Sequence, residues 1–424
     1  MMHACGITIS TGFAQLNGRV LQPPKLRVGN GKEIIPQRGR WCLNNERVYE
    51  PAKIKRWAIV NFSATNKSFQ VFEQLVKCAK QKGLLVEPLL KIFEEDSHWT
   101  KCSLTVRVDQ MFQQMRKALS DNPPEFVLCI LAKKNNDNIY GPWKKRCVVE
   151  HGIVTQCLAL PKLNDRSYMT NLVLDINAKL GGLNFVVPIE CLPLISQVSK
   201  VPTMILGLDI TRGGTYQPNM PFFATVVGSR QWPSISRYVA TVRVQSPKFQ
   251  MIDFLFNPQP NNEDKGIIWE LFQEFYTSSG GQKPEQIFIF RSGAYDSQFD
   301  QVLNIELDQI IQACRFQSRF EKLPKFTVIV AQKKHWTKFF LKSSSYNVPP
   351  GTVVDTGVCH PRYNDFYMCS HAGIIGTSRP THYHVLLNEI GFSADALQEL
   401  VLALSHSYQR STTAVSIGIL DFYS

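Results

Sequence analysis

From residue 57 onward, short uninterrupted apolar runs alternate with stretches of helical spacing. Trp57-Ala-Ile-Val-Asn-Phe62 is such a run and predicts a strand buried on both faces, as in a parallel sheet. From Ser68 to Lys82, Phe72, Leu75 and Val76 recur at helical spacing, and Gly83 suits the C-terminal cap. Phe126–Leu131 predicts a second strand, and Tyr168–Lys179 a second helix ending at Gly181-Gly182. This alternation argues for an α/β domain over about residues 56–195. The first 55 residues are rich in Gly, Pro, Asn and Arg, and read as a linker with short strands.

A second α/β unit begins near Lys200 and is assigned residues 196–424. Strands are predicted at Thr203–Asp209, Phe222–Val227, Val239–Arg243, Gln286–Arg291 and Phe326–Ala331. Helices are predicted over Gly266–Tyr276 and, as one long element, over Ser297–Cys314. No internal repeat is visible.

Composition adds three constraints. The chain has 424 residues, 44% hydrophobic and 19% charged, ordinary globular usage with ample length for a large core. No apolar run approaches the ~18 residues of a membrane span. The 11 cysteines form no CxxC pair and no signal peptide is evident, so reduced thiols in a nuclear or cytoplasmic protein are expected. Charge is uneven. Residues 1–200 hold 28 Lys and Arg against 16 Asp and Glu, a net of +12, whereas residues 201–424 hold 19 against 18, a net of +1. A basic half joined to a neutral half fits a polyanionic partner on one side of the molecule; a Lys-rich solvated surface is the bland alternative.

Four features carry candidate chemistry. Asp209 is expected at the C-terminal end of its strand, where open α/β sheets place ligands and where a carboxylate suits Mg²⁺; a capping role for the loop is the alternative. His382 and His384 flank Tyr383, and in a strand they share a face. They lack a third ligand of suitable spacing, so hydrogen-bonded histidines are expected and no metal. Tyr140-Gly-Pro-Trp143-Lys144-Lys145-Arg146 joins two aromatics to three cations, a combination that stacks on bases and neutralises phosphate, or else forms an exposed basic turn. Lys333-Lys334-His335-Trp336 repeats the theme.

Seven strings together resemble the argonaute family: Trp57-Ala-Ile-Val-Asn-Phe-Ser63, Ile139-Tyr-Gly-Pro-Trp-Lys-Lys145, Ile153-Val-Thr-Gln-Cys157, Lys179-Leu-Gly-Gly182, Ile205-Leu-Gly-Leu-Asp209, Ser297-Gln-Phe-Asp-Gln-Val-Leu303 and Gly376-Thr-Ser-Arg-Pro-Thr-His-Tyr-His-Val-Leu386. The resemblance runs from near residue 4 to about residue 417. It is closest to plant argonautes that act with small RNAs in DNA methylation. It covers the end of the second linker, the MID domain and the PIWI domain, and implies a Rossmann-like MID domain followed by an RNase H-like PIWI domain.

The resemblance implies a pocket for the 5′ end of a small guide RNA, which pairs with a target RNA. Tyr140 matches the residue that stacks on the first base, and Lys144, Gln156 and Lys179 match phosphate-binding positions. Arg410 matches an arginine reaching the same pocket, and Lys333, Lys334, His371 and Arg379 match positions contacting guide backbone. Where the family carries a lysine four residues before Lys179, this chain has Asp175, which is expected to repel phosphate and to pair with Lys179 across one helical turn.

Slicing members of the family use Asp, Glu, Asp and His (or Asp) around two Mg²⁺ ions. Asp209 matches the first, but Gln250 and Ser292 stand where the Glu and second Asp are expected. The catalytic His lies in a segment for which this chain has Gly418-Ile-Leu-Asp-Phe-Tyr-Ser424. Asp253 and Asp296, nearby in sequence, are weak substitutes. The resemblance also implies that absent final helices leave apolar PIWI surface exposed. The leading expectation is an RNA-binding protein of gene silencing without slicer activity and without cofactor. The alternatives are a Mg²⁺-dependent guide-directed endonuclease and a module binding Gly-Trp-rich silencing partners.

Overall fold

The computed structural model describes Gly6, Ser10 and residues 12–417, apart from positions 121, 133–137, 160–164, 190–194, 213–219, 343, 345, 374 and 375. The expectations about Gly418–Ser424 therefore lie outside the described residues. Among those described, no helix is long and apolar enough to cross a membrane, and none of the nine cysteines is in a disulfide.

Up to residue 55 the chain forms the short strands β1 (Arg19–Val20), β2 (Leu26–Arg27), β3 (Glu33–Ile34) and β4 (Lys53–Ile54). This stretch is stitched to both units that follow. β1 pairs antiparallel with a strand of the large sheet at Val353 and Thr352, Arg27 bridges Val186, Glu50 bridges Leu183, and Arg40 bridges Thr413. Its strongest tether is polar. The fully buried Lys82 ammonium donates to the carbonyls of Leu43, Asn44 (2.8 Å) and Glu46 (3.0 Å). A buried ammonium requires such acceptors, because desolvation penalises its charge; burial lowers its pKa.

The first α/β unit runs β5 (Trp57–Asn61), α1 (Ser68–Lys82), β6 (Leu85–Val86), β7 (Ile92–Glu94), α2 (Leu104–Leu119), β8 (Phe126–Leu131), α3 (Tyr140–Lys144), β9 (Val154–Ala159) and α4 (Arg166–Lys179). β6 pairs with β4, and the other strands form a parallel sheet in the order β7-β5-β8-β9. Alternate residues of the central strands face opposite layers. Ile59, Leu128 and Ile130 pack with Val71 and Leu75 of α1 and Leu172, Val173 and Ile176 of α4. Ala58, Val60, Val127 and Cys129 pack with Val108, Met111 and Met115 of α2 and with Trp143. Both faces are covered, which is why these strands read as unbroken apolar runs. α1 ends as expected, with Gly83 at φ 93° donating to the carbonyls of Ala79 and Lys80.

The second unit runs α5 (Ser196–Lys200), β10 (Thr203–Arg212), β11 (Phe222–Ser229), β12 (Tyr238–Gln245), α6 (Ile267–Ser278), β13 (Gln286–Ser292), α7 (Phe299–Gln301), α8 (Asp308–Arg315), β14 (Lys325–Gln332), β15 (Thr352–Val354), β16 (Asn364–Cys369), β17 (Thr381–Asn388) and α9 (Ala394–Leu404). Among the described residues the large sheet has nine strands, in the order β1-β15-β16-β17-β14-β13-β10-β11-β12. β10, β13 and β14 are mutually parallel, and β11, β12 and β17 run antiparallel to their neighbours. Helices α6 and α8 cover one face at Leu206 and Leu208. α9 covers the other, at Ile205, Phe288 and Phe290, through Leu397, Leu400 and Leu404. This is an RNase H-like sheet beside a Rossmann-like one.

Two expectations about elements need correction. Asp209 does not end its strand: β10 continues to Arg212, because β11 pairs with it as far as Arg212 and Phe222. The parallel pairing with β13 does stop at Leu208 and Arg291, so Asp209 sits just where the sheet opens on that side. The long helix over Ser297–Cys314 is broken into α7, a π-helical stretch at Val302–Leu307, and α8. The π stretch carries Glu306, which is buried and must meet Arg291.

Candidate nucleic-acid interface

Five of the residues singled out in sequence converge where the start of β9 meets the C-terminal end of α4. The Lys144 and Lys179 ammonium groups both donate to the carbonyl of Thr155, each at 3.1 Å. Lys179 also donates to Gln156 Oε1 at 2.6 Å, and Gln156 is buried. The ring of Tyr140, 53% exposed, lies at the rim with Lys144 Nζ 5.8 Å from its centroid. Arg410 enters from the far end of the chain and meets Asp175 of α4, Nε to Oδ1 at 3.4 Å.

Two corrections follow. Asp175 pairs with Arg410 rather than with Lys179, because the lysine is drawn across the β9 edge to Gln156 and Thr155. Trp143 is not a stacking platform. It is fully buried, in ring contact with Phe62 and Phe112, and donates to Thr155 Oγ1 at 3.0 Å. The Tyr140–Arg146 stretch is helical, so its cations splay around an axis: Lys144 points to the pocket, whereas Arg146 turns to Glu150 and Asp109.

The pocket is electrostatically loaded. Desolvation, then Lys144 and Arg410, pull the Lys179 ammonium down to about 8, against the opposing effects of Asp175 and Cys157. Burial pushes the Asp175 carboxyl up, with Arg410 and then Lys179 opposing. Such crowding of like charge is what an incoming anion relieves.

Two clefts flank this pocket. The first, about 310 Å³, is lined by Lys179, Gly181, Arg230, Arg237, Tyr408 and Arg410. The second, about 420 Å³, brings together Lys333, His371 and Arg379 with Arg40. His371 is held by Ser416, Nδ1 to Oγ at 3.0 Å. Lys334 lines neither cleft; it lies within electrostatic reach of Asp209. The segment Ser407–Ser416 contributes to both clefts and so joins them. Arg40 and Arg237 were missed in sequence: only their positions beside Thr413 and Gly181 reveal them.

Around Asp209 the structure is less equipped. Burial pushes its carboxyl up, while Arg291, the Ile210 N–H, Lys333 and Lys334 act the other way. Ser292 follows Arg291 at the end of β13, and a Cβ on Gly293 would lie 3.8 Å from Asp209 Oδ1. The Gln250 side chain accepts from Gln298 Nε2 at 2.6 Å. Asp296 accepts from Gln332 Nε2 at 2.7 Å, and Asp253 is exposed. Among the described residues no group of three or more His, Cys, Asp and Glu donors includes Asp209; one such group exists, Asp365, His382 and His384.

The Piwi domain family profile matches residues 126–419. Argonaute 4A of Oryza sativa subsp. japonica is 55% identical over 417 residues, covering 98% of this chain and 46% of the relative. Argonaute 4 of Arabidopsis thaliana is 51% identical over 417 residues, covering 98% and 45%. The chain thus spans about half the length of the curated relatives it matches. The fold is also similar to the C-terminal lobe of a budding yeast argonaute (TM-score 0.79, 22% identity, 94% of this chain and 84% of that one). It is likewise similar to a Kluyveromyces polysporus argonaute solved with a guide RNA (TM-score 0.78, 21% identity, 96% and 48%).

Proposed function

The chain belongs to the argonaute family of Piwi-domain proteins, and on that premise we propose that it binds the 5′-phosphorylated end of a small guide RNA, acts with a target RNA in gene silencing, and does not cut. The observation that carries the reading is the convergence of Lys144 and Lys179 on one carbonyl beneath an exposed aromatic ring. A terminal phosphate draws on both ammonium groups and on Gln156, while Tyr140 offers its face to the first base. Lys333, His371, Arg379 and Arg40 then continue the positive path for the backbone, joined to the pocket by Ser407–Ser416.

The same reading treats Asp209 as a remnant. Two-metal hydrolysis needs several carboxylates around the ions, and Gln250 and Ser292 are neutral. Asp296 is engaged by Gln332.

Fluorescence anisotropy with 5′-phosphate and 5′-hydroxyl RNAs of one sequence, at one salt concentration, tests the binding. The phosphorylated RNA should bind more tightly, and its affinity should fall as salt rises. Equal affinities would end the pocket assignment. For catalysis, a phosphorylated guide and labelled complementary RNA are incubated with Mg²⁺ or Mn²⁺. A product cut opposite the middle of the guide, lost in Asp209→Ala, would show that the protein slices.

A further inference from the structure

Sequence spacing left His382 and His384 without a third ligand. The fold supplies one. Asp365 of β16 is the direct cross-strand partner of His384 in β17, and Tyr367 is that of His382. Because side chains alternate along a strand, Asp365, His382 and His384 share one face of the sheet. One donor atom from each lies within 4.8 Å of the other two. His382 Nε2 and Asp365 Oδ2 are already 2.6 Å apart, and the two imidazole centroids are 3.8 Å apart.

We propose that Asp365, His382 and His384 form a binding site for a zinc-class divalent transition-metal ion. Two imidazoles and one carboxylate are the donor set such ions prefer, and harder Mg²⁺ is disfavoured by the nitrogens. Around a tetrahedral ion with bonds near 2.0–2.2 Å, donors sit about 3.4 Å apart, so small side-chain rotations bring the three into range. Gln332 adds an oxygen, Oε1 at 3.2 Å from His384 Nε2, and its amide is held in turn by Asp296. Orientation of ligands by such outer hydrogen bonds is usual at metal centres.

The surroundings fit a cation. The Asp365 side chain is 1% exposed and meets the His360 N–H at 2.8 Å, His382 and the Cys359 side chain; among the described residues no lysine or arginine forms an ion pair with it. The His382 ring is clamped against Tyr367 at 3.8 Å and 14°. Nearby His335, 6.2 Å from His382 between ring centroids, has a buried Nδ1 without a hydrogen-bond partner among the described residues. A bound ion would pin β16 to β17 beside the segment that carries Lys333 and His335.

The test uses the purified full chain, stripped with chelator and titrated with Co²⁺. The expected result is one equivalent bound with visible d–d bands, displaced by Zn²⁺. His384→Gln and Asp365→Asn should abolish those bands while leaving binding of 5′-phosphorylated RNA unchanged, since neither residue touches the RNA pocket. Absence of Co²⁺ binding, or bands that persist in both variants, would overturn the site. If a variant does not fold, X-ray absorption on the Zn²⁺-loaded wild type decides. Two imidazoles with oxygen at about 2.0–2.2 Å support the site, and a shell without imidazole refutes it.

Discussion

Arg410 and Asp175 lie 235 positions apart in the chain, yet their side chains meet at 3.4 Å beside the Lys179 ammonium. On the proposed reading, the pair places a carboxylate where an incoming phosphate would need cations, and it holds Arg410 in a competing contact. Like charges a few ångströms apart repel by about 4 kcal/mol at an effective dielectric near 20, before screening. Asp175→Asn removes that repulsion and frees Arg410. It should tighten binding of 5′-phosphorylated RNA by about tenfold or more, which requires only about 1.4 kcal/mol, and change 5′-hydroxyl RNA much less. Equal gains for both RNAs in a parallel titration would place Asp175 outside the phosphate pocket.

Tyr140 stands at the rim with half its surface exposed. A base stacked on it contributes about 1–3 kcal/mol. Tyr140→Ala should therefore weaken guide binding by about that amount while the preference for a 5′-phosphate survives, because the ring does not read the phosphate. Anisotropy with the paired RNAs separates the two effects; a variant that binds like wild type removes the stack.

On the proposed reading, Lys179 should give RNA binding a pH dependence. Its ammonium is held at about 8, below the ordinary lysine value of 10.5. It is thus charged below about pH 8 and neutral above, so affinity for the phosphorylated RNA should fall between pH 7 and pH 9. Lys179→Arg keeps its charge throughout this range and should flatten the profile. Parallel profiles for the two proteins would show that another group governs the dependence.

Stability of the large sheet should hinge on Arg291 and Glu306. Their side chains are 3% and 1% exposed and meet at 2.7 Å, and Glu306 also accepts the Ile252 N–H at 2.9 Å. Removing one partner of a buried ion pair strands the other, at a cost of about 3–5 kcal/mol. Glu306→Gln should lower the urea unfolding free energy by that amount. A loss below about 1 kcal/mol would mean that Arg291 finds other acceptors.

Acid should act through His406. It is 1% exposed, held by the Leu402 carbonyl at 2.9 Å, and burial brings its pKa down to about 4. The unfolded chain takes up the proton near the ordinary 6.5 and the folded chain only near 4, so folding loses stability as pH falls from about 6.5 to 4. A shift of that size corresponds to roughly 3 kcal/mol. Wild type should lose this increment relative to His406→Gln over the same range in urea titrations. If the two proteins lose stability in parallel, His406 is not responsible.

The sequence by itself determined the elements whose character is local. β5, β8 and β13 are legible because strands buried on both faces must be apolar throughout, and α1 because its buried stripe and Gly83 obey helical spacing. The family resemblance brought Tyr140, Lys144, Gln156, Lys179 and Arg410 into one expected pocket, and set Gln250 and Ser292 at positions where it implies carboxylates. Only the tertiary structure decided which charges meet. Lys179 turns to Gln156 because β9 brings an acceptor within 2.6 Å, and Asp175 turns to Arg410 because the segment after α9 returns to α4. Asp365 joins His382 and His384 because antiparallel register sets β16 against β17, and Arg40 joins Lys333 because the first segment crosses to Thr413. The division has one physical cause. Hydrophobic periodicity is written within a few residues, whereas pairing between side chains depends on distances that chain closure fixes, and no local pattern encodes them.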